Sequence, residues 1–418
     1  MLYIPQKYFL ILIVCVPIAI WSQNAAQKIL RVDPSRSYGG NISDYFTDIE
    51  YIPLETTKES LFGDIGQLIV TKNSFVISDY DSRTILFFKS DGQFLKKIRW
   101  SSQVDPSIKY EPHEAQVIIT YTSLADEDKK TTEIYSLEGV KLSVKNSTLV
   151  ISENFILLDS GYSLKFNSCE FKRFDELRDS IYYLIDVYRN GTLYRRHLPY
   201  NQKEKMGFCY FAGGVKPGVS NYFVVKNNRI YISTPIEHHI YEITKDSAIL
   251  FYNVVFPEGS SYPKDILGNQ TSSKLDSLKK IQRPMGTIYN LNNIFFSESK
   301  MFFKASSPFY VSTISSKEIK PYNFIFDTSN HKLIALERLK TDEKSHFLPV
   351  FDPRDGLMIK GIIYHNDFFY SYVSSLDMFS AQQKNKSRSP QYSPILQEYF
   401  RTQNRKSNPV IVRMKLKE

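Results

Sequence analysis

The sequence predicts an all-β chain folded as a six-bladed β-propeller of four-stranded antiparallel blades. Three observations carry this. The 418 residues include 29 Tyr and 29 Phe against 2 Trp, a strand-favouring aromatic profile. Short apolar runs separated by Asn, Asp, Gly and Ser turn clusters recur along the whole chain. Many of these runs are apolar at nearly every position, as expected of strands buried on both faces, and repeated four-stranded units of this kind indicate a propeller. Hydrophobic residues make up 42% and charged ones 23%, which places the chain among globular proteins.

The N-terminus reads MLYIPQKYFLILIVCVPIAIWSQ. Lys7 precedes an apolar run from Tyr8 to Trp21 that is short for a membrane span and has the form of a signal-peptide core. Ser22 is a small residue at a plausible cleavage point. The expectation is a signal peptide over 1–22 and one propeller domain over 23–418, exported and not membrane-spanning once the signal is removed. Val14 precedes Cys15 and an apolar stretch follows it, so lipidation of Cys15 is not expected. Cys169 and Cys209 remain. An oxidising compartment permits them to pair, and the sequence leaves that open.

The first blade is the clearest. Runs at 65–70, 75–78, 84–88 and 94–100 alternate with turns, and Gly92 in Ser90-Asp-Gly-Gln93 can take the positive φ a hairpin needs. A second unit spans 115–121, 131–135 and 139–145, with no clear first strand. A third spans 148–151, 155–158, 181–188 and 192–199. A fourth spans 222–225, 229–233, 239–243 and 248–256. A fifth spans 288–297, 300–305, 309–313 and 319–326. The sixth begins with 359–364 and 368–373. Terminal sheets with open edges invite aggregation. The late strand at 408–417 and the early one at 48–55 are therefore expected to complete the sixth blade together.

In a four-stranded blade the a–b and c–d turns lie on one face, and the b–c and d–a connections on the other. The long segments 100–114, 159–180, 200–221, 257–287, 327–358 and 374–407 all fall in the second class. Long loops gathered on one face of a rigid scaffold form a binding face, or else plug the channel mouth. Helical spacing is present at 272–283 and at 394–402, where Ile395, Leu396, Tyr399 and Phe400 share one face.

No motif of a known reaction is present: no Gly-x-Ser-x-Gly elbow, no phosphate-binding glycine loop and no His-Glu-x-x-His. Asp79, Asp81 and Arg83 sit in the first blade's b–c loop. Two carboxylates so spaced could hold calcium, but such residues more often satisfy backbone groups in a turn. His238 and His239 fall in the fourth blade's b–c loop. Adjacent residues of a strand point to opposite sides, which argues against a shared metal. Phe171, Tyr210, Phe211, Tyr262 and Tyr392 lie in the long segments, where aromatics stack on sugar rings, grip a peptide or anchor the loops. The formal charge of +9 points to solubility or affinity for anionic surfaces rather than to nucleic acid. The basic stretches 384–388 and 401–406 read as solvated loops.

The stretch Asp48-Ile-Glu-Tyr-Ile-Pro-Leu-Glu-Thr-Thr57, the runs at 65–70 and 84–98 with their Asp-Gly turn, and Asn408-Pro-Val-Ile-Val-Arg-Met-Lys-Leu-Lys417 carry a resemblance. They resemble an exported six-bladed propeller family of unassigned function from Bacteroides-type bacteria. By architecture the broader relatives are the TolB-like and NHL-repeat propellers. The resemblance implies a propeller at the periplasm or cell surface of a Gram-negative bacterium, and no catalytic residues. Trp100-Ser-Ser-Gln-Val-Asp-Pro106 departs from the Gly-Pro-Gly-rich segment that members often carry there.

The expected function is a monomeric binding module without cofactor or metal, recognising a glycan, a peptide or an envelope protein through its long-loop face. The alternative is a metal-dependent envelope hydrolase or lyase.

Overall fold

The computed structural model describes residues 28–100, 105–111, 114–122, 130–147, 155–159, 161–169, 181–205, 208–209, 212, 216–219, 229–262, 287–306, 323–352 and 362–417. These residues form six sheets, each with a four-stranded antiparallel core. The first sheet runs Gln67–Val70, Ser74–Asp79, Thr84–Lys89, Phe94–Arg99 in sequence order. Its strands explain the continuous apolar runs. Ile85 and Phe87 point into a cluster shared with Val117, Ile119 and Tyr135 of the second sheet. Leu86 and Phe88 point the other way, into a cluster shared with Ile363, Tyr370 and Ile411 of the sixth. A strand alternates its side chains between two faces, so burial of both requires an apolar residue at every position.

The other clusters repeat the arrangement. They join the third sheet to the fourth through Leu164, Ile185 and Ile232, the fourth to the fifth through Ile240, Val254 and Met301, and the fifth to the sixth through Phe302, Ile325 and Phe369. Each fully buried aliphatic or aromatic side chain contributes about 1.5–3 kcal/mol.

The sixth sheet has the order Ile363–His365, Phe368–Val373, Val410–Leu416, Phe46–Pro53. The N- and C-terminal ends of the propeller therefore share one blade, with Val410 opposite Pro53 and Val412 opposite Tyr51. Val410, Val412 and Met414 face the fifth sheet, while Ile411 faces the first. Asn408 fastens the junction. It is fully buried, and its Nδ2 donates to the carbonyls of Glu55 at 2.8 Å and Ser60 at 3.0 Å. Its Oδ1 accepts from Phe62 N at 3.2 Å, and its own N–H donates to Thr56 Oγ1 at 3.0 Å.

Several strands differ from the sequence reading. The second sheet's first strand is Ser107–Glu111, inside a segment expected to be loop. In the third sheet Phe155–Asp159 is the first strand and not the second. The second is Tyr162–Phe166, reached by a turn through Gly161 at φ 90°. Only Leu164 and Phe166 of that strand are fully buried, which hides it among loop residues. In the fifth sheet Asn323–Asp327 is the third strand and Lys332–Lys340 the fourth. The latter reads KLIALERLK, rich in helix formers, and tertiary packing overrides that preference. The fourth sheet's edge is Gly218–Val219, paired with Ile230–Ser233. The strands expected at 148–151, 222–225 and 309–313 and the helix at 272–283 lie outside the described residues.

The N-terminal segment adds something unforeseen. Ile29–Arg31 pairs in parallel with Ala248–Val255, and Tyr38–Asn41 with Lys332–Lys340, adding a fifth strand to the outer edge of two consecutive sheets. With the strands reassigned, the long connections 167–180, 202–217, 256–289, 307–322, 341–362 and 374–409 still join second to third strands or one sheet to the next.

Candidate functional site

The connection 374–409, between the second and third strands of the sixth sheet, is built as a folded unit. Ser374 caps the helix Ser375–Lys384, its Oγ accepting from Asp377 N at 3.1 Å. A 3₁₀ turn follows at Lys386–Arg388. Ser393 caps the helix Pro394–Thr402, with Pro394 at the first helical position. This helix has the bounds that the spacing of Ile395, Leu396, Tyr399 and Phe400 predicts. Met378, Leu396 and Tyr399 are buried and seat the unit on the blade. Tyr399 Oη donates to Ser375 Oγ at 2.8 Å, and Ser375 Oγ donates to the Asn408 carbonyl at 2.6 Å. Asn385 Nδ2 donates to Phe347 O at 3.1 Å, tying the turn to the preceding loop.

Beside the first helix and the turn that follows it lies a cleft of about 500 Å³, lined by Phe379, Gln382, Gln383, Lys386, Ser389, Pro390, Tyr392 and Arg405. Its aromatic residues are packed from behind by Phe400, which meets Phe379 edge-on at 5.2 Å between centroids and lies 5.0 Å from Tyr392. Arg405 Nη2 donates to Gln383 Oε1 at 2.8 Å, which orients that amide. Two amides, two cations and the hydroxyl-bearing Ser389 and Tyr392 line the cleft, and no carboxylate does.

Of the residues singled out from the sequence, Tyr392 is in this cleft. It is half-buried, and burial pushes its phenol pKa up. The others are elsewhere. Asp79 is fully buried. Its carboxylate accepts from Gly63 N at 2.8 Å, Ser82 Oγ at 2.6 Å and Asp81 N at 3.1 Å, so it organises a turn. Asp81 and Arg83 are exposed in that turn, Arg83 at φ 53°. His238 is 2% exposed, meets the Phe256 ring edge-on at 4.9 Å and has Nε2 3.0 Å from Ile288 O. Burial lowers its pKa to about 4. Tyr262 is buried against Tyr289. Phe171, Tyr210 and Phe211 lie outside the described residues.

Among the described residues, no group of three or more His, Cys, Asp or Glu side chains is gathered to hold a metal ion. No helix among them is long and apolar enough to cross a membrane. Cys169 and Cys209 are free thiols buried in one cluster.

Sequence reasoning did not single out Phe379, Gln382, Gln383, Lys386 or Arg405. The available signals were the capping pattern Ser374-x-x-Asp377 and the two basic stretches flanking an amphipathic helix.

The comparisons agree with this architecture. A family described as a 6-bladed beta-propeller matches residues 22–103. The chain is a six-bladed β-propeller. A Bacteroides fragilis protein described as exported from its sequence shares the fold, with a TM-score of 0.57 and 14% identity over 94% of this chain and 100% of that one. A member of the duf4221 family from Bacteroides vulgatus aligns over 89% of this chain and 99% of that one, at 9% identity and a TM-score of 0.39. A protein of unknown function from Bacteroides caccae aligns over 65% and 80%, at 10% identity and a TM-score of 0.36. The last two are too distant to carry an argument. No curated protein matches the chain.

Proposed function

We propose that this propeller is an exported binding module, and that the cleft of the 374–409 connection holds its ligand, a saccharide. The apolar run at 8–21 and the Bacteroides fragilis neighbour described as exported support export. The observation that carries the binding site is the cleft itself. Its volume of about 500 Å³ falls within the roughly 300–1,000 Å³ of small-molecule sites. One wall is the helix face carrying Phe379, Gln382 and Gln383, whose backbone groups are satisfied within the helix, and the turn and loop residues Lys386, Ser389, Pro390, Tyr392 and Arg405 complete the cleft. An extended peptide bound along a sheet edge draws affinity from a row of main-chain bonds, and no residue lining the cleft lies in a strand. What the cleft offers is side chains: the aromatic faces of Phe379 and Tyr392 for the C–H face of a sugar ring, and Gln382, Gln383 and Ser389 for its hydroxyls. Capped helices and an oriented Gln383 keep these groups in place before binding, which lowers the ordering cost.

The test is a thermal-shift screen of residues 23–418 against neutral and charged oligosaccharides, with and without EDTA. A ligand that binds the folded state raises Tm by mass action. The expected result is a saccharide-dependent rise that the Phe379→Ala variant loses, with EDTA having no effect. A rise that survives Phe379→Ala would place the ligand elsewhere. Destabilisation by EDTA, reversed by one metal, would favour a metal-dependent hydrolase or lyase.

A further inference from the structure

We infer that the saccharide is acidic, carrying carboxylate or sulfate groups that Lys386 and Arg405 receive; this rests on the cleft being the saccharide site. The charge pattern points there. Lys386 and Arg405 both line the cleft, and no Asp or Glu does. The segment 374–407 contains six cations, Lys384, Lys386, Arg388, Arg401, Arg405 and Lys406, against the two carboxylates Asp377 and Glu398.

Both carboxylates are engaged within the unit. Glu398 is clamped by Arg401, with contacts of 2.9 and 2.6 Å. Asp377 accepts the Ser374 hydroxyl at 2.6 Å. Arg388 lies over the Phe347 ring at 4.7 Å and is held at the side of the turn. Lys386 and Arg405 are left lining the cleft, exposed and without an ion pair among the described residues.

A guanidinium offers paired donors matched to a planar carboxylate or to sulfate oxygens, and an ammonium adds a point charge. The amides and aromatic faces read the remainder of the ring. At physiological salt, charge is felt over about 8 Å, so Lys384 and Lys406 steer an acidic chain toward the cleft without touching it. A neutral sugar gains nothing from this arrangement.

The experiment compares trigalacturonate, its neutral galactose trimer and oligoglutamate of equal charge by calorimetry on residues 23–418, at two salt concentrations. The expected result is binding of trigalacturonate at least about tenfold tighter than of the neutral trimer, weakened by salt. The Lys386→Gln/Arg405→Gln double variant should remove that preference and leave Tm unchanged, because both side chains are exposed. Equal binding of acidic and neutral trimers overturns the acidic assignment and leaves the saccharide site standing. Equal binding of oligoglutamate and trigalacturonate overturns the sugar assignment. No binding of any saccharide overturns both.

Discussion

Asn408→Ala tests how the two ends of the propeller are joined. The Asn408 side chain makes three hydrogen bonds, to the Glu55 and Ser60 carbonyls and from Phe62 N. All three link the C-terminal strand's entry to the segment that follows the N-terminal strand. Alanine leaves two carbonyls and one N–H without these partners at a fully buried position. Each net hydrogen bond contributes about 1 kcal/mol, so the expected loss is about 3 kcal/mol. With about 2.1 cal/mol/K of unfolding entropy per residue, a chain of roughly 390 residues has an entropy near 0.8 kcal/mol/K, and Tm should fall by ~4 °C. Asn408→Asp should cost more, since it replaces the double donor with a carboxylate oxygen facing two carbonyls. Asn404→Ala is the control, because Asn404 is exposed and its side chain bonds only within its own turn. Urea denaturation monitored by tyrosine fluorescence reads all three. A loss under about 0.5 kcal/mol for Asn408→Ala would refute the argument.

Other outcomes follow from the same reasoning. Gly92 has φ 91°, and a Cβ there would lie 2.2 Å from Pro53 O, so Gly92→Ala should cost at least ~2 kcal/mol. Gly191, at φ 81° with nothing within 4 Å, should cost only about 1 kcal/mol on the same change; equal losses in denaturant melts would contradict the contact. His238 has its pKa depressed to about 4 by burial, so it folds neutral. Its contribution is complete above its unfolded value near 6.5 and is lost as pH falls from there toward 4, up to about 3 kcal/mol. The wild type should therefore lose more stability than His238→Gln across that window, and parallel profiles would count against it. Contact with Cys209 and burial push the Cys169 thiol well up. In the reduced protein, iodoacetamide at pH 8 should label Cys169 only after denaturation, and labelling of the native chain within minutes would contradict this.

What was legible in the sequence follows from the physics of each element. The first blade could be read because Ile85, Leu86, Phe87 and Phe88 are all buried, alternately against two neighbouring sheets. The shared sixth blade was legible because Val410, Ile411 and Val412 have the same property. Ser107–Glu111 was missed because only Ile108 of its residues is fully buried, so its pattern is that of a loop. Lys332–Lys340 was missed because its residue types favour helix. The fifth strands Ile29–Arg31 and Tyr38–Asn41 carry no local signature, since their pairing partners are more than two hundred residues away in sequence.

The candidate site was half legible. Helical spacing located Pro394–Thr402, and Tyr392 was among the aromatics singled out in the long segments. Exposed polar residues have no periodicity that marks them as convergent, so Gln382, Lys386 and Arg405 emerged only once both helices were placed. Asp79 and His238 illustrate the reverse. Their residue types suggest chemistry, and their positions show a turn organiser and a buried ring bonded to a backbone carbonyl.

Hydrogen exchange with mass spectrometry, on residues 23–418 with and without saturating trigalacturonate, tests the central claim most directly. Protection on ligand addition should be concentrated in peptides covering 375–405, with the strands of the first blade unchanged. Protection confined to other connections, or none at a concentration where calorimetry shows binding, would contradict the assignment of the cleft.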